Sequence, residues 1–150
     1  MDDVAKLLDF GLVLPRAGSP TLHLTGEGQF LGTPLFTAPE QVMGGGRVVD
    51  ERSDLYALGA VAYFLLTGRP PFDAGNELGV MIAHARDPVV PPSRDRAEVP
   101  EDLERVVLRC LAKEPTERFP DAESLEIALG RCLCASSWNK ALARQWWSDL

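Results

Sequence analysis

The chain has 150 residues, 45% hydrophobic and 25% charged, with 15 Lys and Arg against 22 Asp and Glu for a net charge of −7. These are the proportions of a soluble folded chain about one domain long, and they exclude disorder as its overall state. Basic residues number 3, 5 and 7 in successive thirds, outnumbered each time by 6, 7 and 9 acidic ones. No basic patch exists for nucleic acid, and an anionic membrane surface is disfavoured for the same reason.

The three cysteines, Cys110, Cys132 and Cys134, make neither a disulfide framework nor a metal-binding spacing, and they read as reduced small hydrophobes. The acidic start Met1-Asp2-Asp3-Val4 lacks the pattern of a signal peptide. The longest nonpolar run, Leu55 to Leu66, has twelve residues, and a membrane span needs about 20. The expectation is a cytoplasmic chain without a membrane span.

In chain order, Val4–Leu8 is a short apolar run that suits one buried strand. Residues 9 to 37 show little periodicity and many Gly, Ser, Thr and Pro, the mark of a functional or disordered segment. Four helical patterns follow. The first, Asp54–Thr67, has Ser53 as a plausible N-cap and Gly68 as its stop, and it is apolar on every face, which predicts a central buried helix. The second, Gly75–Arg86, carries Leu78, Met81, Ile82 and Ala85 at helical spacing. The third, Pro100–Ala112, carries Leu103, Val106, Val107, Cys110 and Leu111, with Pro115 blocking continuation. The fourth starts from Asp121 as N-cap and runs through Leu125, Ala128, Leu129 and Cys132 to Leu133. A tail helix from Ser137 places Trp138, Leu142, Gln145 and Trp146 on one side. The prediction is a mainly α unit with one residual β-strand.

The irregular segment opens with Asp9-Phe10-Gly11 and closes with Gly32-Thr33-Pro34 and Ala38-Pro39-Glu40. Ser53-Asp54-Leu55-Tyr56-Ala57-Leu58-Gly59, then Leu66-Thr67-Gly68-Arg69-Pro70-Pro71-Phe72, then Glu117-Arg118-Phe119 follow in order. With these landmarks the chain resembles the eukaryotic-like (Hanks-type) serine/threonine protein kinases from the D-F-G motif onward, over Val4 to about Leu133. The resemblance implies a kinase C-lobe with the N-lobe absent. Its divisions are a partial kinase domain over 1–134, with an activation segment over 9–40 and a helical subdomain over 41–134, then a Trp-rich tail helix over 135–150.

The resemblance also implies roles. Asp9 is a ligand for the divalent metal that bridges the phosphates of ATP. Phe10 packs inward, and Gly11 permits the backbone turn. Ser19, Thr21 and Thr25 are hydroxyls whose phosphorylation orders the activation loop. Gly32, Thr33 and Pro34 belong to the substrate platform; Thr33 marks serine/threonine specificity, and Pro34 to Ala38 wall the site of the residue after the phosphoacceptor. Phe36 stands where many relatives have Tyr. Glu40 and Arg118 form an ion pair tying the end of the loop to the last helices, and if buried, loss of one partner costs about 3–5 kcal/mol. Asp54 anchors the catalytic loop; without that loop it is a buried carboxylate that takes up a proton.

The Gly-rich loop, the ATP lysine, the helix-C glutamate and the H-R-D-x-x-x-x-N loop of such kinases have no counterpart in these 150 residues. Gly44-Gly45-Gly46 follows no strand, His84-Ala85-Arg86-Asp87 ends a helical pattern, and Lys6 sits in the D-F-G strand. No catalytic general base is nameable here; one is expected upstream. The leading reading is the C-terminal part of an ATP- and Mg²⁺-dependent kinase acting on Ser/Thr of protein substrates, inactive alone, with a missing N-lobe or another kinase chain as partner. The alternative is a non-catalytic interaction module using the Trp-rich tail, or a fragment without independent role.

Overall fold

A computed structural model describes residues 34–43 and 48–149. Among these residues there are six α-helices and no strand, so the mainly α expectation holds; the strand expected at Val4–Leu8 lies outside the described residues. The described residues divide into two compact units, 34–135 and 136–149.

In the first unit, a 3-10 turn at Pro34–Phe36 leads into α1 (Pro39–Met43). Pro39 opens α1, where the absent N–H is one the helix does not use. The Gln41 side chain reaches back to the Ala38 N–H at 2.9 Å, as in one half of a capping box. Next comes α2 (Glu51–Thr67), whose N-cap is Asp50 rather than Ser53: its carboxylate accepts from the Arg52 N–H at 2.9 Å. The helix therefore starts three residues before the expected Asp54, and Ser53 is turned inward. At the other end Gly68 takes the left-handed φ of 78° and its N–H donates to the Phe64 carbonyl, the stop that glycine makes cheaply.

Helix α2 is buried along one face only, through Leu55, Tyr56, Gly59, Ala60 and Tyr63. Leu58, Val61 and Leu65 face outward, Leu65 at 75% exposure. Asp54 is exposed as well, which corrects the expectation of a buried carboxylate. Residues 54, 58, 61 and 65 fall four, three and four apart, so they share one outward stripe. Apolar character all round does not guarantee burial all round.

Helix α3 (Glu77–Arg86) starts from Asn76, whose side chain accepts from the Gly79 N–H. It buries Val80, Ala83 and His84, while Leu78 and Ile82 from the expected apolar face are exposed at 66% and 48%. Helix α4 (Glu101–Cys110) crosses α2 at Gly59. A Cβ on Gly59 would meet the Cys110 Cβ at 2.5 Å, so only glycine allows this approach. Helix α5 (Ala122–Gly130) is capped by Asp121 as expected, but ends at Gly130, and a 3-10 turn at Leu133–Ser136 follows.

Two clusters fill the core. One joins Ala38, Tyr56, Ala60, Tyr63, Val107 and Leu111; the other joins Leu55, Cys110, Phe119 and Leu125. In this interior the Cys110 thiol is pushed up to about 11 by burial and stays protonated. In the second unit, α6 (Lys140–Ser148) is capped by Asn139, and Trp146 and Trp147 meet edge to face at 4.8 Å.

Candidate functional site

The residues expected to meet from a distance do so around Arg118. It lies just after the 3-10 turn Pro115–Glu117 that ends the blocked third pattern, and its side chain runs inward. Nη1 donates to Glu40 Oε1 and Nη2 to Glu40 Oε2, both at 2.7 Å. The other three donors go to carbonyls: Nε to Ala112 at 2.9 Å, Nη1 to Arg52 at 2.9 Å and Nη2 to Lys113 at 3.1 Å. All five guanidinium N–H groups are satisfied, the condition for burying such a charge. Both residues are 2% exposed.

Glu40 gains a third partner from α2, because the Ser53 hydroxyl donates to Oε1 at 2.6 Å. Burial alone pushes the Glu40 carboxyl up. The hydrogen bonds from Arg118, Ser53 and its own backbone N–H, with the Arg118 charge, outweigh that and hold it below the usual carboxylate value. The Arg118 guanidinium also lies over the Tyr56 ring, 4.8 Å from its centre.

From Tyr56 the network continues to the platform. The Tyr56 hydroxyl is 2.8 Å from His84 Nδ1, and His84 Nε2 is 3.0 Å from the Leu35 carbonyl oxygen. A carbonyl only accepts, so Nε2 carries the hydrogen and Nδ1 accepts from Tyr56. Burial lowers His84 to about 4, against its hydrogen bond to Leu35 and helped by the Lys113 charge. The ring is therefore neutral at pH 7. Lys113 closes the arrangement: Nζ donates to the carbonyls of Ala83 and His84 at 3.3 and 2.9 Å and lies 4.4 Å from the centre of the Phe72 ring. An ammonium there satisfies the last carbonyls of α3 and complements its dipole.

Of the expected site residues, Pro34 opens the turn whose next carbonyl His84 holds, and Glu40 and Arg118 are joined. Asp54 is not brought to either. Asp9, Phe10, Gly11, Ser19, Thr21, Thr25, Gly32 and Thr33 lie outside the described residues. Among the described residues, no group of three or more His, Cys, Asp or Glu could hold a metal ion, and no helix is long and apolar enough to cross a membrane. Among the described residues, two grooves lie elsewhere, one of about 360 Å³ beside Arg105, Arg109 and Phe119, the other of about 520 Å³ between Leu55, Leu103 and Leu125. Sequence reasoning missed Ser53, Tyr56, His84 and Lys113. The only signal for His84 was its position one turn after Val80 in a helical pattern.

The comparison with known families agrees with this architecture. The protein kinase domain matches residues 1–128, and the chain belongs to that family. Its similarity is to bacterial kinases of the Hanks type. It is 38% identical over 130 residues to the serine/threonine-protein kinase PknB of Mycolicibacterium smegmatis, covering 87% of this chain and 20% of that protein. It is 45% identical over 125 residues to the serine/threonine-protein kinase Pkn1 of Myxococcus xanthus, covering 83% of this chain and 17% of that protein. It is also 45% identical over 120 residues to the DNA damage-responsive serine/threonine-protein kinase RqkA of Deinococcus radiodurans, covering 79% and 17%. The chain thus spans at most a fifth of the length of these relatives.

Proposed function

We propose that this chain supplies the later part of a catalytic domain that moves the γ-phosphoryl group of ATP to Ser or Thr hydroxyls of protein substrates. Its contributions are a metal ligand at Asp9, an activation segment carrying Ser19, Thr21 and Thr25, and a substrate platform at Gly32, Thr33 and Pro34. Mg²⁺, when bound, would bridge and neutralise the phosphates.

The observation that carries the reading is the Glu40–Arg118 fork. It fastens the end of the activation segment to the helical body through two 2.7 Å bonds in a buried site. A platform anchored at one end is what a mobile substrate peptide needs to find its hydroxyl in one place. The 150 residues contain no Gly-rich loop, ATP lysine or H-R-D loop, so the chain by itself does not turn over. Incubated with ATP, Mg²⁺ and a general acceptor protein, it yields no more phosphoprotein than its Asp9→Ala variant. Phosphorylation above that control contradicts the inactivity.

A further inference from the structure

We propose that His84 is a positioning residue for the substrate platform, holding the carbonyl of Leu35 so that the turn Pro34–Phe36 presents one fixed wall to the residue that follows the phosphoacceptor. This rests on the reading of Pro34 to Ala38 as part of that platform.

Phe36 packs the turn on the core and meets the Phe64 ring edge to face at 6.5 Å, but among the described residues the turn's own backbone bonding is sparse. Pro34 brings no N–H, and one backbone bond closes the turn, from the Thr37 N–H to the Pro34 carbonyl at 3.3 Å. A continuing 3-10 helix would next pair the Ala38 N–H with the Leu35 carbonyl. That N–H is instead given to the Gln41 side chain at 2.9 Å. The Leu35 oxygen is thereby released, and His84 Nε2 takes it up at 3.0 Å across 49 residues of chain.

A side chain that merely fills space would need neither nitrogen. His84 uses both, is 0% exposed, and is held from three sides. Tyr56 binds Nδ1 at 2.8 Å, the Phe72 ring meets its edge at 4.9 Å, and Lys113 ties its own carbonyl at 2.9 Å. Burial keeps the ring neutral near pH 7, so Nε2–H is its one ring donor and is committed to Leu35. Helix α3 packs against the platform turn, and the His84–Leu35 hydrogen bond adds a directional tie to that packing.

Two variants of similar polarity separate the bonds. In His84→Gln the amide reaches the place of Nε2 and keeps the bond to Leu35; in His84→Asn it stops near Nδ1 and meets only Tyr56. On the full 150-residue chain, amide hydrogen exchange of residues 35–38 and binding of serine peptides differing only at the residue after serine are measured together. The expectation for His84→Asn is exchange faster by about five-fold or more in that turn, unchanged exchange in α4 and α5, and peptide affinities levelled to within about two-fold. His84→Gln restores both towards the parent chain. If His84→Asn leaves either the turn's exchange or the peptide preference as it was, the proposal is overturned. If the parent chain itself treats all the peptides alike, the platform reading fails, and this inference fails with it.

Discussion

Arg118 holds Glu40 through two parallel 2.7 Å hydrogen bonds across 78 residues of chain, and its remaining three donors tie down the carbonyls of Arg52, Ala112 and Lys113. One side chain thus joins α1, the start of α2 and the segment after α4. Glu40→Gln leaves the guanidinium buried with its charge unpaired, and about 3–5 kcal/mol of stability is lost. A paired Glu40→Leu, Arg118→Met variant removes both charges yet does not return to the parent value, because the partly buried carbonyls of Ala112 and Lys113 then lose the donors that Arg118 gives them. Urea midpoints of the two variants and the parent check the order: parent above both.

Acid should weaken the fold in two stages. His84 titrates at about 4 when folded against 6.5 in an unfolded chain. Between those values the unfolded chain binds the extra proton, so stability falls as pH drops through that window, by as much as about 3 kcal/mol. Against the upward push of burial, hydrogen bonds from Arg118 and Ser53 hold Glu40 below the usual carboxylate value of 4.5, so its contribution is present above that value and is lost as pH falls below it. Urea midpoints measured from pH 7 to pH 3.5 should show the upper stage flattened in His84→Gln and the lower stage kept. An unchanged upper slope in that variant would contradict the assignment to His84.

Gly59→Ala raises helix propensity by about 1 kcal/mol in the interior of α2, and in an exposed helix it would stabilise. Here the new Cβ lies 2.5 Å from the Cys110 Cβ, so α2 and α4 must move apart or bend, at about 1–3 kcal/mol. The clash exceeds the propensity gain, and a net lower thermal midpoint is predicted. A raised midpoint would mean that the two helices separate freely.

What was legible in the sequence is what depends on neighbours in the chain. Asp121 and Gly68 mark helix ends because caps act within a turn of themselves. The Glu40–Arg118 pair was found through a resemblance, since nothing local connects residues so far apart. Ser53 and Asp50, three residues earlier, read equally well as the cap of α2, and only the buried Glu40 decides between them. The buried face of α3 was misassigned because hydropathy ranks histidine as polar. Val80, Ala83 and His84 have the same helical spacing as the stripe chosen, and it is Tyr56, Leu35 and Lys113 that make His84 interior. The apolar character of its helix suggests an interior place for Asp54, but it heads the outward stripe of Leu58, Val61 and Leu65.

On the proposed reading, these residues supply the metal-binding and substrate-holding part of a phosphoryl-transfer domain and require a complement. The most direct measurement joins the chain in frame to a kinase-type segment carrying a Gly-rich loop, an ATP lysine, a helix-C glutamate and an H-R-D-x-x-x-x-N loop. Transfer of labelled phosphate from ATP to serine peptides is then followed with Mg²⁺. Expected are transfer by the joined protein, none by the 150-residue chain alone, and at least a hundred-fold loss in the joined Asp9→Ala variant, roughly the scale of removing one transition-state charge stabiliser. Equal transfer with and without the Asp9 carboxylate would contradict it.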